Sequence, residues 1–137
     1  MISIVARRPL GLFLGAIFGV FALIAWAQAL PALLMPSEKP PALIGLQFAI
    51  GAAAGATAWG SRRRARWTPI AAVAYGALTA ALLLALPSLL NLPIEARAGL
   101  RGGATAVLLF AILSAAYFRS DYRKGARQIS SDRANER

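Results

Sequence analysis

From Leu10 to Leu34 the chain carries no charge, and Gln28 is its only strongly polar side chain. As a helix rising about 1.5 Å per residue, this run exceeds the roughly 30 Å hydrocarbon core of a bilayer and can cross it with some tilt. Three more uncharged runs follow. Together they predict an all-α membrane protein with four spans, at about 10–34, 42–60, 68–90 and 99–118. Residues 1–118 would form the transmembrane domain and residues 119–137 a tail.

The breaks between spans carry the expected punctuation. Pro9 suits the first turn of a helix, where its missing N–H costs nothing. Pro36, Pro40 and Pro41 stop one helix and start the next. Thr68-Pro69 reads as an N-cap followed by proline, and Asn91 as a C-cap. The fourth uncharged run, from Gly102 to Phe118, is the shortest; it reaches full length if Arg101 snorkels outward and the helix starts near Ala98. After Phe118 the tail reads as a short helical extension on anionic lipid followed by a frayed end.

Charge orients these spans. Arg62, Arg63, Arg64 and Arg66 interrupt the uncharged sequence near the middle of the chain and must lie at a membrane surface. Loops facing the cytoplasm carry the excess of Lys and Arg. With that loop inside, the inner segments hold twelve Lys and Arg, against three in the outer loops, Lys39, Arg97 and Arg101. The expected topology is therefore two hairpins with both termini cytoplasmic. Trp59, Trp67 and Tyr117 would be interfacial anchors on the inner side, and the four arginines would contact anionic lipid headgroups or an acidic partner. The twin arginines Arg7 and Arg8, and Ala27-Gln28-Ala29 as a cleavage site, raise an export-signal reading of the first run. A signal's apolar region is typically about 7–15 residues, so an uncleaved first span is expected.

Composition agrees. The chain is 58% hydrophobic and only 15% charged, against about 25% charged in an average soluble domain. Its net charge of +10 could suggest nucleic acid, but the basic residues sit at the ends of apolar runs, so no nucleic-acid partner is expected. The abundance of Ala, Arg and Gly points to a GC-rich bacterium, hence to the inner membrane.

The two halves resemble each other. Ala29-Leu30-Pro31-Ala32-Leu33-Leu34 closes the first span and Ala85-Leu86-Pro87-Ser88-Leu89-Leu90 the third; Pro36 and Glu38 follow one, Pro93 and Glu95 the other. Two explanations stand side by side. One is a duplicated hairpin, giving a parallel tandem repeat; the other is similar composition under the same membrane constraints.

Small residues predict where helices meet, because association within a bilayer relies on close backbone approach. Gly11, Gly15 and Gly19 recur at four-residue spacing on the first span, and Gly51 and Gly55 on the second. Gly15 and Gly55 lie at similar depth from the inner ends of their spans and are expected to pair. Gly76 marks the third span, and Gly102 and Gly103 the fourth; here the tightest contact is expected toward the outer side, near Ala81, Ala85 and Ser88. Such faces serve internal bundle packing or a dimer or docking surface.

The chemistry is sparse. Neither Cys nor His is present, which removes thiol chemistry and the commonest general base and metal ligand. The spans lack buried ionisable residues of the kind that coupled transport uses. Gln28, Gln47, Thr57, Thr79, Thr105 and Ser114 are the polar residues at depth, expected to bond to a neighbouring helix or their own backbone. Glu38 and Glu95 are read as solvated loop charges. No catalytic, metal or cofactor site is predicted. The expected role is that of an accessory or scaffolding subunit of a larger membrane complex, or otherwise simply a small protein of the inner membrane, with other membrane subunits or further copies of itself as candidate partners. The alternative is a small dimeric transporter, channel or flippase for a neutral or lipid substrate.

Overall fold

The computed structural model describes residues 8–35 and 40–137, and every regular element among them is an α-helix. Helix α1 spans Arg8–Leu34, α2 Pro41–Arg63, α3 Thr68–Leu89 and α4 Ile94–Asn135. All four are long and apolar enough to cross a membrane. Arg7, Glu38 and Lys39 lie outside the described residues.

Helix ends are set by backbone chemistry. Pro41 and Pro69 occupy first-turn positions of α2 and α3. Both of these helices end in the same hydrogen-bonded turn. Arg64 follows α2 with φ 53°, and the Ala65 N–H donates back to the Gly60 carbonyl at 3.0 Å. Asn91 follows α3 with φ 49°, and the Leu92 N–H donates to the Pro87 carbonyl at 3.1 Å. This six-to-one bond across a left-handed residue satisfies carbonyls that the helix leaves orphaned. Asparagine tolerates that conformation; arginine at the same place costs about 1 kcal/mol. Thr68 differs from its predicted capping role. Its hydroxyl donates to the Ala65 carbonyl at 2.7 Å, tightening the α2–α3 turn, and Trp67 takes the N-cap position.

Helix α4 is longer than the sequence suggested. It continues through the expected frayed tail to Asn135, 42 residues in all. At 1.5 Å per residue that is about 63 Å, twice the hydrocarbon thickness. A helix already nucleated in its apolar half propagates at low cost into polar sequence, which explains the extension.

Aromatic rings fill the centre of the bundle. Phe18 of α1 is fully buried. Its ring centroid lies 5.3 Å from Tyr75 of α3 and 5.6 Å from Phe110 of α4. Phe21 stacks on Tyr75 at 5.8 Å. One side chain of α1 thus ties together three helices. Ile50 and Ala54 of α2, and Ala72, Ala115 and Phe118, extend the same cluster. Outward, the surface is strongly apolar: Leu23, Leu33, Ile70 and Leu113 are each more than 60% exposed. Such a surface suits hydrocarbon and would be a liability in water.

The α1–α2 contact has a regular antiparallel register. A Cβ at Gly15 would overlap the Ser61 hydroxyl, Gly19 faces Ala58, Gly55 faces Ala22, and Gly51 lies under the Trp26 indole. The expected pairing of Gly15 with Gly55 is therefore corrected. Gly51 and Gly55 form the seat of Trp26, and seating that large ring slides α1 about two turns along α2. In the α3–α4 contact, a Cβ at Gly76 would overlap the Ala111 methyl. That is the tight point, not the Ala81–Ser88 stretch. Beside that stretch lies a small cleft of about 100 Å³ lined by Pro87, Arg97 and Arg101. Gly103 touches Leu83, but Gly102 faces open space, contrary to its expected packing role.

Candidate functional site

The close approach of α1 to the end of α2 sets up a concavity with a mixed polar and apolar lining. Gly15 lets α1 lie against Ser61, whose hydroxyl donates to the Ala58 carbonyl at 2.8 Å and is thereby turned into its own helix. Gly60 in turn lets the start of α3 approach, because a Cβ there would meet the Thr68 hydroxyl and the Trp67 ring. The chain then turns sharply through Arg64. These constraints place Arg62, Arg63 and Arg64 around a cleft of about 400 Å³, together with Gly11 and Leu12 of α1 and Phe118, Asp121 and Tyr122 of α4.

Three arginines line this cleft against one acidic residue, Asp121. Arg63 stacks over the Trp59 ring at 4.6 Å, a cation–π contact that holds it near the indole. Arg64 reaches across to α4, where a Cβ at Gly125 would lie 3.9 Å from its Nη1. The Tyr122 hydroxyl is buried beside Thr68 but makes no hydrogen bond of acceptable geometry. Its ring packs 6.2 Å from Phe118. Arg66 is separate: with Pro69, Arg119, Tyr122 and Arg123 it borders a second, shallower concavity on the far side of Tyr122. The four arginines of the turn thus divide three to one.

The aromatic residues near this end take different positions. Trp59 and Trp67 are largely exposed at 55% and 44%, as interfacial anchors would be. Tyr117 packs inward, its ring 6.0 Å from Phe118 and facing Gly11 of α1.

Asp121 and Gly60 are site residues that the sequence did not single out. The available signal was positional. Asp121 and Tyr122 follow the fourth span just as Arg62–Arg64 end the second, so both groups belong to the same end of the bundle.

At depth, two of the six polar residues turn back on their own helices. Thr57 donates to the Ala53 carbonyl at 2.8 Å and Thr105 to the Arg101 carbonyl at 3.0 Å. Gln28 lies exposed on α1, while the Gln47 Oε1 and Thr79 hydroxyl are buried without a hydrogen bond of acceptable geometry. Among the described residues no group of three or more His, Cys, Asp or Glu comes together. Glu95 is exposed in the first turn of α4, where a negative charge suits the helix dipole.

No protein-family model matches the chain, and comparison with curated proteins and with solved structures gives no match.

Proposed function

We propose that the protein is a non-catalytic, four-span subunit that scaffolds or completes a larger membrane complex or its own oligomer. The observation that carries this reading is the interior. Where a transporter would keep a polar path, Phe18, Phe21, Tyr75 and Phe110 pack ring against ring. Binding surfaces are left to the apolar flanks and to the arginine end. In the proposed orientation that end and both termini face the cytoplasm, in keeping with the distribution of Lys and Arg. The composition favours a bacterial inner membrane. A parallel repeat of two hairpins is supported by Pro31 in α1 and Pro87 in α3, each within the last turn of its helix.

The alternative, a small dimeric transporter, channel or flippase, draws support from one feature. An outward groove between α1 and α2 reaches the arginine end. The two readings separate on purification from native membranes in mild detergent, with reconstitution of the isolated chain in liposomes. The proposed role predicts a fixed-stoichiometry assembly with other subunits or with further copies of the chain, and no flux of neutral solutes or scrambling of labelled lipid. A chain that runs alone and moves a solute or lipid across the bilayer contradicts it.

A further inference from the structure

We propose that the α1–α2 face holds one anionic glycerophospholipid, its phosphate in the arginine cleft and one acyl chain in the adjoining glycine groove. Two concavities carry the inference, because they meet. The groove, about 490 Å³, is lined by Gly15, Ala16, Gly19, Gly55, Ala58 and Trp59, and it shares Leu12 and Arg62 with the cleft. The joined site is apolar along one stretch and cationic at its end. From Leu12 to Gly19 the groove runs roughly 10 Å along the helix, enough for the upper part of an acyl chain.

Each end has the chemistry its half of a phospholipid requires. Guanidinium groups recognise phosphate oxygens by paired N–H donors, and Arg62, Arg63 and Arg64 outnumber Asp121. A zwitterionic headgroup would bring its own cation into an already cationic cleft, so charge complementarity selects an anionic one. Trp59 lines the groove and carries Arg63 of the cleft on its ring, as suits the boundary between acyl chain and headgroup. Arg64 adds a further sign. It occupies a left-handed position where glycine would be less strained, yet it supplies a cation to the cleft.

The inference rests on the membrane placement proposed above, but not on the subunit role. The purified chain, in mild detergent, is mixed with phosphatidylglycerol or phosphatidylcholine and examined by native mass spectrometry. One phosphatidylglycerol is expected to remain bound per chain, with phosphatidylcholine retained far less. The double variant Arg62→Gln/Arg64→Gln is expected to weaken that binding about tenfold. Arg97→Gln/Arg101→Gln, at the opposite end, is expected to leave it unchanged and controls for net charge. Ala16→Leu, at an exposed groove position outside the α1–α2 register, would narrow the groove and also weaken lipid retention, with the denaturant midpoint in detergent followed to confirm an intact bundle. Equal retention of the two lipids, equal loss in both arginine pairs, or displacement by millimolar inorganic phosphate would each overturn the proposal; the last would mark the cleft as a free-anion site. Failure of the subunit role is read separately, from assembly and flux, and leaves these lipid measurements unaffected.

Discussion

Replacing Gly76 with alanine is expected to destabilise the bundle by about 1–3 kcal/mol, the usual range for overpacking. The new methyl would overlap the Ala111 Cβ, an atom fixed to a helix backbone that cannot rotate away. Helices α3 and α4 must then separate along their whole contact. The second-site change Ala111→Gly should restore most of the loss. With that methyl gone, the nearest remaining atoms are the Val107 carbonyl oxygen at 3.7 Å and the residue-111 Cα at 3.8 Å, both ordinary contacts. A double-mutant cycle on reversible unfolding in detergent measures the coupling, expected above about 1 kcal/mol. Gly102→Ala is the matched control. A Cβ there meets nothing within 4 Å, so stability should hold or rise slightly. Additive, uncoupled effects of the Gly76 and Ala111 changes would show that α3 and α4 do not meet in this register.

Phe18→Ala is the second large effect. In a water-soluble core, truncating a buried phenylalanine costs about 3–5 kcal/mol. Within a bilayer the transfer contribution falls away, because a separated helix keeps its side chain in hydrocarbon. The cavity contribution remains, about 24 cal/mol per Å³ of void, which gives an expected loss near 2 kcal/mol. Phe18 contacts Phe21, Tyr75 and Phe110, so the loss should appear as weaker association of α1 with α3 and α4. Phe18→Leu, which keeps most of the volume, should recover part of it. The readout is the denaturant midpoint in detergent. An unchanged midpoint for Phe18→Ala would place that ring outside the packed centre.

Some of this architecture is legible in the residues alone. Long uncharged runs and proline-marked breaks locate four helices, because a membrane tolerates so few alternatives. Gly15, Gly51 and Gly76 stand out as places of close approach because only glycine lacks the interfering carbon, and a Cβ at any of them would collide with a neighbouring helix. Axial offset is not legible in the same way. Depth counting pairs Gly15 with Gly55, whereas the seating of Trp26 on Gly51 sets the offset and brings Gly15 to Ser61. A periodic glycine also does not announce which way it faces, and Gly102 faces outward. The cleft is hidden for a related reason. Arg62–Arg64 and Asp121–Tyr122 are about sixty positions apart, and only the packing of α4 beside the α2–α3 turn joins them. Composition likewise does not foretell that α4 would carry its helix through Gly125 and the serines beyond.

The placement of the Arg62–Arg66 turn at the cytoplasmic surface underlies the proposed orientation and role, and one labelling experiment addresses it directly. The chain has no native cysteine, so a single introduced one reports a single site. Ala65→Cys, in the arginine turn, and Ala96→Cys, in the first turn of α4 at the opposite end, are treated in sealed cells with a membrane-impermeant maleimide, before and after permeabilisation. The account predicts that Cys at 96 reacts in intact cells and that Cys at 65 reacts only once the membrane is opened. Reaction at 65 in intact cells, with 96 protected, would invert the bundle and contradict the account.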